Sequence, residues 1–186
     1  LVGATTQLGK LTSPLRDRFG VILRLDYYNQ DDLVKIINRS ADILGIKINQ
    51  EGSKEIARRS RGTPRISNRI LKRARDFAEV ESKNTIDFEI ADMCLSRMGI
   101  DSNGLDDMDR RILNTIIDKF SGGPVGVESL SVAISEDAVT VEEVYEPYLI
   151  KEGYLQRTSR GRIALDKAYN YLNKTREDDS QNNIFK

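Results

Sequence analysis

Arginines make up most of the residues in this sequence that could do chemistry. Residues 58–75 carry Arg58, Arg59, Arg61, Arg65, Arg69, Lys72, Arg73 and Arg75, and a second cluster, RTSRGR, places Arg157, Arg160 and Arg162 around Gly161. A guanidinium stays charged at any ordinary pH and offers several donors to phosphate oxygens. Arg65 follows Thr63-Pro64, where a helix is expected to begin. A helix N-terminus attracts anions, and an arginine in its first turn adds a charged fork. RTSRGR reads as the tip of a projecting hairpin, whose arginines can contact phosphates or enter a minor groove. SPLRDRFG adds Arg16 and Arg18 beside Asp17, and the hydroxyls of Thr5 and Thr6 follow a short apolar run.

Other chemistries are closed to this chain. It has no histidine, which removes His–Cys metal sites and Ser–His–Asp catalysis. The single cysteine, Cys94, cannot form an internal disulfide. It lies in the helical run IADMCLSRM and reads as a buried core thiol, in keeping with a reducing, cytoplasmic setting. No apolar run approaches the roughly 20 residues of a membrane helix, and LVGATTQLGK is not a signal peptide. The 29 basic and 29 acidic residues cancel, so net charge alone does not suggest nucleic-acid binding. The average hides local segregation, because the acids collect in SEDAVTVEEVYE and REDD, away from the basic clusters.

The elements that must position these groups are mostly helices. LVGATT resembles the end of an apolar strand, and a strand with nothing before it cannot form a sheet, so the chain is expected to be part of a longer protein. Pro14 suits the first turn of a short helix capped by Thr12 or Ser13, and Gly20 can end it. VILRLDYY, residues 21–28, has the β-branched and aromatic pattern of a strand. From Asn29 the period becomes helical. Asn29 or Asp31 can cap a helix with Leu33, Ile36, Ile37, Ala41 and Ile43 on its apolar face, stopped by Gly45. Ser53 is expected to open a second helix and Pro64 a third, with Ile66, Ile70, Ala74 and Phe77 in one stripe. Asp87 opens a fourth, with Ile90, Ala91, Leu95 and Met98. The polar segment GIDSNGLDDMD marks a domain boundary. Beyond it come MDRRILNTIIDKF, SLSVAISE, and a helix from Thr140 kinked at Pro147. Two strands then flank SRGR, and a short helix, DKAYNYLN, follows, which is the winged-helix plan.

Taken in order, GATT, SPLRDRFG, ARRSRGTPRISNR, GGPVG, EPYLI and QRTSRGR resemble the RuvB family of Holliday-junction branch-migration motors, which are AAA+ ATPases, over essentially the whole chain. The resemblance implies a mainly α chain. A remnant of the α/β ATPase core would occupy 1–25, a four-helix AAA+ lid 26–100, a winged-helix DNA-binding domain 101–174 and a flexible tail 175–186. It implies that Thr6, with Thr5 beside it, is the sensor 1 residue and that Arg18 is an arginine finger acting in trans on a neighbouring subunit's nucleotide. It implies a nucleotide contact at Tyr28, which composition reads equally as a core tyrosine. It makes Arg65 the sensor 2 residue and Arg157, Arg160 and Arg162 the DNA contacts. Arg58, Arg59, Arg61, Arg69, Arg73 and Arg75 are expected on solvated faces or subunit contacts. This sequence departs from the family pattern at Ala138, where many relatives carry an arginine. Glu136 and Asp137 beside it make a poor groove-reading face.

For the full protein the resemblance implies ATP and Mg²⁺ as cofactors. It also implies a homo-hexamer on double-stranded DNA at four-way junctions, a RuvA-type junction-binding partner, a RuvC-type resolvase alongside, and a bacterial cytoplasm. Two rivals predict differently. An AAA+ replication initiator of the origin-recognition type would bind DNA by sequence. A winged-helix transcriptional regulator would carry Arg, Asn or Gln on a groove-reading helix, which SLSVAISEDAVTVEEVYE lacks. Neither a GxxxxGK[ST] phosphate loop nor an acidic Walker B strand end occurs in the 186 residues. The purified chain is therefore expected not to hydrolyse ATP. Sustained phosphate release by it, with or without DNA, would contradict that expectation.

Overall fold

The structure, a computed structural model, describes residues 2–5 and 8–176. Thr6 and the tail from residue 177 lie outside the described residues. Helix α1 (Ser13–Arg16) starts after Thr12 with Pro14 in its first turn, as its missing N–H allows. Residues 21–28 do not form the predicted strand. Val21, Ile22, Leu23 and Leu25 are exposed, and an extended segment with no neighbour to pair its backbone is not held as a strand.

Four helices then pack as the lid. Helix α2 (Gln30–Leu44) begins at Asn29, whose side chain accepts from the Asp32 N–H at 2.8 Å. It ends at Gly45, whose φ of 66° is the left-handed closure that glycine takes without strain. Its buried stripe is Leu33, Ile37 and Ala41. Ile43, expected on that face, is 73% exposed, because two residues beyond Ala41 a 3.6-residue period points the other way. Helix α3 (Gln50–Arg58) begins at Asn49 rather than at Ser53. Asn49 accepts from the Gly52 N–H at 2.8 Å, while Ser53 is buried and donates to Asn38 Oδ1 at 2.5 Å. Helix α4 (Pro64–Val80) follows Thr63, and α5 (Phe88–Arg97) is capped by Asp87, which accepts from the Ile90 N–H at 2.9 Å. Their inward faces bury Leu33, Ile37, Ile56, Ile70, Leu71, Ile90 and Leu95 in one core. Cys94 lies in it, and burial pushes its thiol up to about 11, so it is packing and not a nucleophile.

A second core forms from Leu105 onward around Ile112, Leu113, Ile116, Leu130, Ile134 and Leu149. Helix α6 (Asp107–Phe120) opens with a capping box, Asp106 and Asp109 each accepting from the other's backbone N–H. Helix α7 (Val127–Ile134) precedes α8 (Ala138–Thr140), which Asp137 caps. The chain continues through a π turn (Val141–Tyr145) into α9 (Glu146–Lys151). Pro147 has no N–H to give the carbonyl a turn back, which explains why the helix widens there, at the expected kink. Strands β1 (Leu155–Thr158) and β2 (Gly161–Ala164) form the antiparallel wing, and α10 (Asp166–Tyr171) closes it. The loop after α6 lies against β2, with paired hydrogen bonds between Val125 and Arg162 of 3.0 and 2.8 Å. That approach needs two glycines. A Cβ on Gly123 would sit 2.3 Å from the Arg162 carbonyl oxygen, and one on Gly161 2.4 Å from that of Val125.

The joint between the two cores is pinned from both sides. Arg59, expected on a solvated face, is buried against Glu55 and Asp92 and reaches the Ile100 carbonyl at 3.4 Å. Arg58 donates to the Ser102 carbonyl. Arg61 donates to the Gly104 carbonyl at 3.0 Å, to Asp106 at 3.1 Å and to Asp109 at 2.5 Å. The Tyr148 hydroxyl donates to the Asn103 carbonyl at 3.0 Å, and its ring lies 4.7 Å from the Arg61 guanidinium. The boundary predicted from polarity is thus a crossing of buried ion pairs. Arg61 and Asp109 are 12% and 0% exposed, so removing one strands the other. Arg61→Ala should lower unfolding free energy by about 3–5 kcal/mol, measured in urea. A loss below about 1 kcal/mol, the size of an exposed pair, would show that the joint does not depend on it.

Candidate nucleotide-sensing and DNA-binding sites

The expected nucleotide-facing residues come from separate places in the chain, and one of them, Tyr28, is tied to the loop before α4. Tyr28 donates its backbone N–H to the Gly62 carbonyl at 2.9 Å. This ties the segment entering the lid to the loop that launches α4. Arg65 is the second residue of α4 and is exposed in its first turn, where the Ile66 and Ser67 N–H groups donate to the Thr63 carbonyl. Tyr28 is half exposed and lines, with Gly62, Arg61, Lys151 and Tyr148, a cleft of about 190 Å³ between lid and winged helix. The neighbouring Tyr27 ring lies 4.5 Å from the Lys151 ammonium. Arg18 is exposed just past α1, and Thr5 is exposed near the start of the chain. Among the described residues no group of three His, Cys, Asp or Glu side chains could hold a metal.

The wing divides its arginines into two kinds. Arg157 and Arg162 are direct cross-strand partners. Two like charges opposite each other destabilise a hairpin unless acids separate them. The acids are Glu142 in the π turn and Glu146 at the start of α9. Arg162 donates to Glu146 at 2.5 and 3.1 Å and to Glu142 at 2.5 Å. Its side chain is 7% exposed, and that of Glu146 is 2%. The structure places Arg162 inward on β2 and not at the projecting tip expected of it. In this structure its guanidinium faces inward and is occupied by two carboxylates, and turning it to a phosphate would strand Glu146. Arg157 is 58% exposed at its side chain, with Nη2 3.0 Å from Glu142 Oε1. Arg160 is exposed in the two-residue turn, where its N–H reaches the Thr158 hydroxyl at 3.3 Å. Ala138 opens α8 between Asp137 and the π turn, so no arginine is added on that side.

Sequence reasoning put Arg59 and Arg61 on solvated faces or subunit contacts and missed the pairing roles of Glu142 and Glu146. The signal available was weak: Glu142 and Glu146 stand four apart, and so share one helical face, in the segment packed against the wing.

The comparisons with known proteins agree with this geometry. The family model described as the RuvB AAA lid domain matches residues 28–101, and the RuvB C-terminal winged helix domain matches 102–173. The chain belongs to the RuvB family. It is 56% identical over 174 residues to the Holliday junction branch migration complex subunit RuvB of Fusobacterium nucleatum, a match covering 94% of this chain and 52% of that protein. It is 54% identical over 185 residues to the RuvB subunit of Myxococcus xanthus, covering 100% of this chain and 54% of that protein. The solved RuvB Holliday junction branch migration motor of Thermotoga maritima superposes with a TM-score of 0.85 at 46% identity, covering 90% of this chain and 56% of the other. The chain thus spans about half the length of these relatives. Two RuvB modules, lid and winged helix, account for the two cores. No helix among the described residues is long and apolar enough to cross a membrane.

The two kinds of wing arginine should separate by stability. Arg162→Ala leaves Glu146 buried and uncompensated and should destabilise by about 3–5 kcal/mol. Arg157→Ala changes an exposed side chain and should stay within about 0.5 kcal/mol. Urea melts of both variants check the division, and equal losses would erase it.

Proposed function

We propose that this chain is the lid and winged-helix portion of an ATP-driven motor that moves the crossover of a four-way DNA junction in recombination and repair. The observation that carries the reading is that both RuvB modules stand in order on one chain, with exposed arginines at four of the five expected arginine positions: Arg18 after α1, Arg65 in the first turn of α4, Arg157 and Arg160 on the wing.

The residues present suit the sensing side of a nucleotide site. Arg65 would direct its guanidinium, from the positive end of the α4 dipole, at the terminal phosphate of ATP. Tyr28 would pack near the base, its backbone already held to Gly62. Arg18 would reach the nucleotide of the neighbouring subunit in a hexameric ring, which makes hydrolysis depend on assembly. Thr6, with Thr5, would supply the sensor 1 hydroxyl. Hydrolysis of bound ATP would supply the energy of translocation, with Mg²⁺ neutralising phosphate charge. Both would be held mainly by a phosphate loop and an acidic strand end of the kind this sequence does not contain. A RuvA-type junction-binding protein and a RuvC-type resolvase are the partners this role implies.

On the DNA side, Arg157 and Arg160 would grip backbone phosphates without reading bases. The acidic residues Glu136, Asp137, Glu142 and Glu143 make the face before the wing unsuited to a major groove. Recognition is then of duplex backbone and not of sequence, which disfavours the origin-binding and transcriptional readings.

Two experiments test these halves. In the full-length protein, Arg18→Ala should keep nucleotide binding while DNA-stimulated hydrolysis falls by about 10³–10⁵. Mixing it with a phosphate-loop variant should restore part of the activity, and normal hydrolysis by Arg18→Ala would remove the finger. For the wing, Arg157→Ala with Arg160→Ala should weaken binding equally on two unrelated duplexes. It should also flatten the log–log salt dependence by about 0.9 for each phosphate that is no longer neutralised. A loss confined to one sequence would favour a regulator instead.

A further inference from the structure

The two carboxylates beneath the wing are not equivalent. Glu146 is 2% exposed and is engaged by both Nε and Nη2 of Arg162, which makes it a buried structural ion. Glu142 is 33% exposed at its side chain. Its Oε1 lies 2.5 Å from Arg162 Nη2 and 3.0 Å from Arg157 Nη2, so one oxygen serves two arginines. Arg157 is the partly open member of the set. Its other terminal nitrogen, Nη1, is 4.0 Å from Glu146 Oε2, too far for a hydrogen bond.

We propose that Glu142 sets how tightly this chain holds DNA, by occupying on Arg157 the place a backbone phosphate would take. The proposal rests on the reading of the wing as a phosphate-binding hairpin. A phosphate that approaches Arg157 meets a guanidinium that already has a carboxylate oxygen 3.0 Å from one terminal nitrogen. To take the place beside that nitrogen it must displace Glu142 Oε1. To use the remaining ones it must settle beside a like charge at the edge of the same group. Either way the grip is weaker than an unencumbered arginine would give. Displacement is feasible because Arg162 loses little when Glu142 withdraws, since Glu146 still holds it at two nitrogens. A hairpin that must grip and release successive phosphates benefits from a competitor built in at the contact. Asp137 and Glu136 are engaged differently: Asp137 accepts from the Val139 and Thr140 N–H groups as the α8 cap, and Glu136 accepts from the Asp137 N–H.

The test is the affinity of the 186-residue chain for two short duplexes of unrelated sequence, over a series of salt concentrations, with thermal melts as the fold control. Glu142→Gln keeps an amide oxygen for Arg162 and removes the charge. It should bind both duplexes about threefold tighter, the factor expected from losing one partly exposed ion pair. Glu143→Gln makes the same change of net charge one residue on, at an exposed position, and should gain well under half as much. In an Arg157→Ala background the gain from Glu142→Gln should vanish. The inference is overturned if Glu142→Gln binds no tighter with an unchanged melt, if Glu143→Gln gains equally, or if the gain persists without Arg157. If Glu142→Gln melts early, Glu142→Asp decides: it keeps the charge but draws the carboxylate back by one methylene. An intermediate gain from it supports the competitor, and none overturns it. Arg157→Ala by itself separates the two levels. If it leaves affinity unchanged, the wing reading fails. If it weakens binding while Glu142→Gln is neutral, only this inference fails.

Discussion

Arg61 has to be neutralised where it sits, because a guanidinium only 12% exposed cannot draw its solvation from water. The neutralising carboxylates, Asp106 and Asp109, belong to the start of α6, in the next domain. That requirement fixes where the winged helix stands on the lid. Asp109 is itself constrained, since it accepts from the Asp106 N–H in the capping box at 2.9 Å. Burial pushes its carboxyl up to about 6 even with Arg61 beside it. The same residues therefore start a helix and join two domains.

The rest of the joint follows from backbone accounting. Four linker carbonyls, at Ile100, Ser102, Asn103 and Gly104, each accept from a side chain: Arg59, Arg58, Tyr148 and Arg61. A polar linker left to water would be free to swing, and this one is held by charged donors from the lid and a phenol from α9. Arg61 lies one residue from Gly62, which holds Tyr28, and four from Arg65. The segment proposed to feel the nucleotide and the segment that holds the winged helix are thus one loop. Rotation of the lid would carry the wing with it.

The wing solves a second charge problem with the same chemistry. Its glycines let β2 approach the loop after α6, which places Arg162 inward and directly across from Arg157. Two carboxylates from one helical face then make the pair tolerable. The zero net charge of the chain is reproduced on a local scale here: two arginines and two glutamates, one pair sealed and one partly in solvent.

Helix starts and stops were legible in the sequence because they are decided within a few residues. Asn29 and Asp87 cap with their own side chains, Pro14 and Pro64 occupy first turns, and Gly45 takes the left-handed closure. The order of motifs was likewise enough to name the family and to anticipate lid followed by winged helix. Where a local rule had two candidates, the sequence chose wrongly: Ser53 looked like a cap, but Asn49 stood four residues earlier with a free backbone to bond. The strand expected at 21–28 failed for a different reason, since a strand exists only through a partner that periodicity does not reveal. Most of all, the sequence could not sort its arginines. Arg61 and Arg65, or Arg157 and Arg162, are alike in composition and near neighbours in the chain. One of each pair is buried against carboxylates 45 and 48, or 16 and 20, residues away, and the other stays largely exposed. Burial and pairing over such distances are properties of the packed chain, and only the tertiary structure decided which arginines hold the protein together and which are free to hold something else.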